Sequence, residues 1–140
     1  ADYDFKILIA SDKDFVQLDG VQQINMAGKE VKCELAGEKV TPAEFLLAKI
    51  ILGDASDNIA KVFKGVGPKK ALKLVRDKNA LSKLLHEDPA AANQFLLNRK
   101  LISFTEIPEN MSRNIAEHIN KALYVERPVR KHTFANLEWL

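Results

Sequence analysis

Four aspartates are the side chains of this sequence best suited to chemistry. Asp12 and Asp14 directly follow the short apolar run Phe5–Ala10, and Asp54 and Asp57 follow a second apolar run, Phe45–Leu52. Two residues apart in extended chain, Asp12 and Asp14 can point the same way. Asp54 and Asp57 lie three apart in what reads as a turn. Carboxylate oxygens are the hard ligands that Mg²⁺ and Mn²⁺ prefer. Four of them brought together repel one another unless cations neutralise them. Two such ions roughly 4 Å apart can activate a water and stabilise a leaving oxygen, as phosphodiester hydrolysis requires. Taken singly, each pair reads first as a turn residue or a helix cap.

A second constellation is Gly65–Val66–Gly67–Pro68–Lys69–Lys70–Ala71. Its two glycines let the backbone turn sharply and approach a ligand closely. The helix expected to start at Pro68 would offer free N–H groups and partial positive charge at its N-terminus. Lys69 and Lys70 in that first turn are slightly unfavourable for the helix, so they suggest a nearby anion. With Lys64 and Lys73 they belong to the densest basic stretch, Lys61 to Lys78, and the set suits a nucleic-acid phosphate held without reading base sequence. The competing reading is a tight Gly-Pro turn with solvated lysines. A nucleotide-binding loop is excluded, because the Gly-x-x-x-x-Gly-Lys-Ser/Thr pattern is lacking. The overall charge of +2 hides an asymmetry: residues 1–57 hold 6 Lys/Arg against 11 Asp/Glu, and the remainder hold 15 against 8. An acidic half beside a basic half fits carboxylates that hold cations and lysines that hold a polyanion.

The elements that must position these residues follow from periodicity and punctuation. Phe5–Ala10 reads as a buried strand of the parallel-sheet kind. Phe15–Leu18 reads as a short helix or turn, and Val21–Ile24 with Val31–Leu35 as a second strand and its hairpin partner. Thr41–Pro42–Ala43–Glu44 carries a capping box with proline at the first helical position, opening a helix that Gly53 ends. That helix is apolar nearly all round, so burial is expected. Further helices are expected from Pro68, and at about residues 80–85, 89–101 and 111–123. Strands first and helices afterwards predict an α/β fold, the edge of a mostly parallel sheet followed by a mainly helical region.

Order and spacing together carry a family resemblance. Ser11–Asp12–Lys13–Asp14–Phe15–Val16–Gln17–Leu18 resembles the Asp-Lys-Asp-Leu-x-Gln-Leu segment of the flap endonuclease and 5′-3′ exonuclease superfamily. Leu52–Gly53–Asp54–Ala55–Ser56–Asp57–Asn58–Ile59 resembles its Gly-Asp-x-Ser-Asp-Asn-Ile segment, and Gly65–Ala71 its Gly-Ile-Gly-Pro-Lys-Thr-Ala segment. Asn98–Ile102 and Ile107–Pro108 are a weaker echo, similar to the nucleases of T4-like phages. The resemblance implies a metal-dependent, structure-specific 5′-nuclease, with Asp12, Asp14, Asp54 and Asp57 holding two Mg²⁺ or Mn²⁺ ions. It implies that Gly65 to Lys70, with Lys64 and Lys73, form part of a helix–3-turn–helix that grips duplex backbone. It also implies K⁺ near Val62, Gly65 and Gly67. The implied substrate is DNA with a 5′ end or flap, or an RNA–DNA hybrid, in replication or repair. Residues 1–57 would be the C-terminal part of the nuclease core and residues 58–140 the helical DNA-binding region.

This sequence departs from the family pattern at Ala60–Lys61, where relatives carry Pro-Gly. It also lacks the acidic helix and basic arch expected upstream of the first strand. Asp2 and Asp4 are too near that strand to supply them, so the expectation is the C-terminal portion of a longer nuclease. The rival from another class is a non-catalytic double-stranded DNA-binding module. No apolar run approaches the roughly 20 residues of a membrane span, and no signal peptide is visible. An intracellular monomer is expected, with a sliding clamp or single-strand-binding protein as candidate partners. The single cysteine, Cys33, excludes an internal disulfide and a Cys-rich zinc site. His86, His118 and His132 show no metal-ligand spacing. Ser56 has no histidine to activate it and reads as a turn residue beside the acids. Trp139 is expected to dock on the core.

Overall fold

The structure is a computed structural model that describes residues 6–123. Strand β1 (Ile7–Ile9) pairs in parallel with β2 (Gln22–Ile24), Leu8 opposite Gln23. A 3₁₀ helix, Lys13–Gln17, lies between them. Strands β3 (Glu34–Leu35) and β4 (Glu38–Lys39) form a separate antiparallel hairpin. Helices α1 (Pro42–Leu52), α2 (Pro68–Arg76), α3 (Lys78–Glu87) and α4 (Pro89–Ile102) follow, then α5 (Glu109–Leu123). The fold is thus mixed α/β, with small sheets and five α-helices among the described residues. None of these helices is long and apolar enough to cross a membrane.

One sheet expectation holds in part and one is corrected. The chain does return antiparallel beside Gln23–Asn25: Ile24 bridges Glu30, Val31 N–H donates to Gln23 O at 2.9 Å, and Asn25 N–H donates to Lys29 O at 2.8 Å. The end of the expected partner run, Glu34–Leu35, pairs instead with Glu38–Lys39. That second hairpin turns at Ala36–Gly37, both at positive φ, the backbone a two-residue turn of this hand demands. The strand β1 is not buried: Ile7 and Ile9 are 52% and 68% exposed. A parallel strand is buried only when neighbours cover both faces, and β1 pairs only with β2 among the described residues.

Helix starts follow their local chemistry. Thr41 and Glu44 close a reciprocal capping box on α1, with Pro42 in its first turn. Asp77 and Asp88 cap α3 and α4 through their side chains. Gly67 precedes Pro68 at the start of α2, and having no side chain it provides no such cap. One core joins α1, α2 and α3: Ala48, Ile51, Ala71, Val75 and Leu81 are buried together, with Phe63 and Phe95 packed against them.

The chain divides into two compact units at Glu106/Ile107. The second contains α5, on which Met111, Ile115 and Ile119 are exposed at a spacing of four residues, one stripe along the helix. Trp139, His132, Asp2, Asp4 and the tail from Pro128 lie outside the described residues.

Candidate functional site

The C-terminal end of α1 is the hub of the site. The last regular helical bond is Gly53 N–H to Lys49 O at 2.8 Å. A helix leaves its final carbonyls without internal partners, and two of them find one outside it: Ile51 O accepts from Val62 N–H at 3.0 Å. Ile50 O accepts from Asn98 Nδ2 of α4 at 2.8 Å. Asn98 is fully buried, and the same Nδ2 also donates to Ala60 O at 2.8 Å. Its Oδ1 accepts from Gln94 Nε2 at 2.7 Å. One side chain from α4 therefore holds both the end of α1 and the loop that leaves it.

That loop carries Asp54 and Asp57. Gly53 stands at φ +66 and ψ −169, a region essentially closed to other residues. The loop then closes on itself through two backbone bonds between Asp54 and Ile59, of 3.0 and 2.7 Å. Asn58 at φ +58 makes the return, a conformation asparagine tolerates better than most residues. Ser56 donates its N–H to Asp54 Oδ1 at 2.9 Å, and its hydroxyl to the same oxygen. Ser56 is therefore a turn residue that orients Asp54, as its lack of a histidine suggested.

Asp12 and Asp14 differ from their expected arrangement. Asp12 is not in an extended run with Asp14. The chain bends into the Lys13–Gln17 3₁₀ helix, and Asp12 caps it by accepting Asp14 N–H at 2.8 Å. Two glutamines absent from the sequence-level site fix this segment. Buried Gln23 donates to Ala10 O at 2.8 Å and Asp12 O at 2.6 Å. Gln17 donates to Asp14 O and Ile102 O and accepts Phe104 N–H, tying the 3₁₀ helix to the end of α4.

Lys49 joins the two acidic segments. Its ammonium pairs with Asp14 Oδ1 and, at 3.1 Å, with Asp54 Oδ2. Asp14 and Asp54 are thus brought to one point, beside a cleft of about 230 Å³ lined by Lys13, Phe45, Lys49 and Asp54. Asp12 and Asp57 are exposed and are not brought to the same cation. Among the described residues no three His, Cys, Asp or Glu side chains are gathered as a metal-holding group. The pair nevertheless fits a divalent ion in kind. Its oxygens are hard donors, and a cation already sits between them. Two carboxylates leave the other coordination positions to water, phosphate or further acids.

The Asp54 carboxyl is held at about 2, below an ordinary 3.8, first by the Ser56 hydroxyl and then by Lys49, with partial burial acting the other way. A folded-state value below the unfolded one stabilises the fold above the ordinary value, and that contribution is lost as pH falls through about 2. Thermal melts from about pH 5 to about pH 2 are expected to fall more steeply for the wild type than for Asp54→Asn. Parallel curves for the two proteins would contradict this.

The basic stretch separates into two roles. Arg76 is engaged by Glu38 at 2.7 Å and Glu44 at 3.3 Å, pinning the end of α2 to the β3–β4 hairpin and the start of α1. Lys64, Lys69, Lys70 and Lys73 are exposed and have no ion pair among the described residues. Lys69 and Lys70 stand in the first turn of α2, the helix start without a side-chain cap. Val62 is buried, Gly65 takes φ +75, and the Gly67 carbonyl accepts Ala71 N–H at 2.9 Å.

No family model matches the chain, and no curated protein matches it. Among solved structures, it aligns with a lysine-to-alanine mutant of the T5 5′-exonuclease at a TM-score of 0.54 and 20% identity, over 71% of this chain and 48% of that one. It aligns equally with a T5 protein co-crystallised with metal ions, at TM-score 0.54 and 20% identity, over 71% of this chain and 44% of that one. The chain spans about half the length of these structures or less. In line with the resemblance of the motif segments, the chain shares the fold of the T5 5′-exonuclease over 71% of its length.

Proposed function

We propose that this chain forms the metal-holding and duplex-gripping part of a structure-specific 5′-nuclease that hydrolyses DNA or RNA–DNA phosphodiesters. The observation that supports this best is the convergence of Asp14 and Asp54, from segments far apart in sequence, on one cationic point at the end of α1. In this reading Asp14, Asp54 and Asp57, with Asp12 at the rim, hold Mg²⁺ or Mn²⁺. Those ions, when bound, supply a water nucleophile at neutral pH and positive charge for the leaving oxygen. Ser56 keeps Asp54 ionised and oriented. Lys49 keeps the acidic segments together when no metal is present. The Gly65–Lys70 turn and α2 act as a helix–3-turn–helix, with the uncapped N-terminus of α2 and Lys64, Lys69, Lys70 and Lys73 facing duplex phosphates. Carbonyls of Val62, Gly65 and Gly67 are the site for K⁺ in this proposal.

A second reading, a non-catalytic duplex-binding module, is favoured by the absence of a three-carboxylate cluster among the described residues. One experiment separates the two. The full-length gene product is given a 5′-flap duplex with Mg²⁺, with chelator, and as the Asp54→Asn and Lys69→Ala/Lys70→Ala variants. The nuclease reading expects cleavage that needs metal and falls at least about 100-fold in Asp54→Asn. It expects weaker, less salt-dependent duplex binding in the lysine double variant, by about one unit of slope per lysine. Binding that persists in chelator without cleavage under any condition would favour the module instead.

A further inference from the structure

Lys49 is the one charged residue in the apolar run Phe45–Leu52, and its ammonium is spent wholly on two acids of the proposed metal site. We propose that Lys49 is a built-in counter-cation whose ammonium and a divalent metal ion exclude one another at Asp14 and Asp54. The inference rests on the metal reading above and adds to it a gate on metal entry.

The argument is electrostatic and geometric. With the acidic segments in place, Asp14 and Asp54 are like charges held close together, and without a cation they would repel. Lys49 removes that repulsion at the cost of occupying the oxygens a metal needs. A divalent ion in the same place would stand against the ammonium, so one of the two must leave. The lysine can leave: its charge sits on a flexible four-carbon stem, its side chain is 17% exposed, and the cleft beside it gives the head a way out. Lys13 lines the same cleft but makes no ion pair among the described residues, so it supplies nearby positive charge without occupying the acids.

Mutual exclusion lowers the apparent metal affinity by the fraction of molecules in which the acids are free. The test is Mn²⁺ binding by the full-length protein without DNA, followed by calorimetry and by the Mn²⁺ resonance signal. Lys49→Gln is expected to bind Mn²⁺ about tenfold more tightly than wild type, and Lys13→Gln within about twofold of it. Equal or weaker binding in Lys49→Gln would overturn the proposal. So would an equal gain in both variants, which would mean diffuse charge rather than occupancy. If Asp54→Asn binds Mn²⁺ as wild type does, or no protein binds it, the metal reading itself fails and the gate falls with it. A second measurement needs no variant. In wild type, Mg²⁺ should raise reductive methylation of Lys49 several-fold, read by peptide mass, and unchanged protection would also overturn the proposal.

Discussion

Gly53→Ala is expected to destabilise the protein by more than about 4 kcal/mol, a loss that core cavities and backbone clashes reach but surface changes do not. Two effects add at this position. The backbone stands at φ +66 and ψ −169, where any Cβ is strained. An added Cβ would also lie 2.4 Å from Ile59 O and 2.5 Å from Ala60 O. Both contacts are backbone, so no side chain can swing aside to relieve them. The loop must open, and the two Asp54–Ile59 bonds that close it must break. For a unit of this size the melting temperature is expected to fall by more than about 15 °C. If the loop opens while α1 to α4 remain packed, the Ile59 and Val62 amides will exchange as fast as free peptide. A variant that melts within about 2 °C of wild type and keeps those amides protected would refute this account of Gly53.

Asn98→Leu is expected to cost about 3 kcal/mol although it exchanges a polar side chain for an apolar one with the same branching. A buried leucine is ordinarily favourable, but its methyls are bulkier than the amide they replace and overpack a fully buried site. The cost arises because Asn98 is the donor for two carbonyls that have no other. Ile50 O lies in the last turn of α1, where the helix supplies no partner, and Ala60 O lies in the loop beyond it. The Ile50 carbonyl left buried and unpaired costs about 1–3 kcal/mol; the Ala60 carbonyl, in a part-buried bond, costs less because water reaches it more easily. Urea denaturation gives the number directly. A loss below about 1 kcal/mol with an unchanged slope would show that water replaces the amide, and that Asn98 is not the clamp described here.

How much of this was legible in the sequence depended on how local each signal was. The Thr41–Glu44 capping box, Gly53 as a stop, and Pro68 as a helix start are complete within a few residues, and they appear in the structure as read. The turn holding Asp54 and Ser56 was legible for the same reason. Strand pairing was not, because a three-residue strand carries no mark of its partner. The parallel match of Ile7–Ile9 with Gln22–Ile24 left no local trace, and the return of Lys29–Val31 beside Gln23–Asn25 is shorter than the run from Val31 to Leu35 had suggested. The relation of Asp12 to Asp14 was misread: Asp12 is extended as assumed, but the chain turns into a 3₁₀ helix from Lys13. Arg76 looked like one more member of a basic stretch, and only the tertiary structure brings Glu38 and Glu44 to it. Lys49 did leave a trace, as the lone charge in an apolar run preceding two acids. Asn98 left less: a polar residue after Leu96–Leu97 is unremarkable until the ends of α1 and its loop are seen around it.

The three-way closure at the end of α1 also sets an order of assembly. The local sequence from Gly53 to Ile59 spells out a turn, but its flanking carbonyls are satisfied from Asn98, 48 residues beyond Ile50 and 38 beyond Ala60. Such a contact forms only after the intervening chain has paid its loop-closure entropy. The acidic turn can close on itself early, through Asp54 and Ile59, but the carbonyls that flank it are satisfied only once α4 docks.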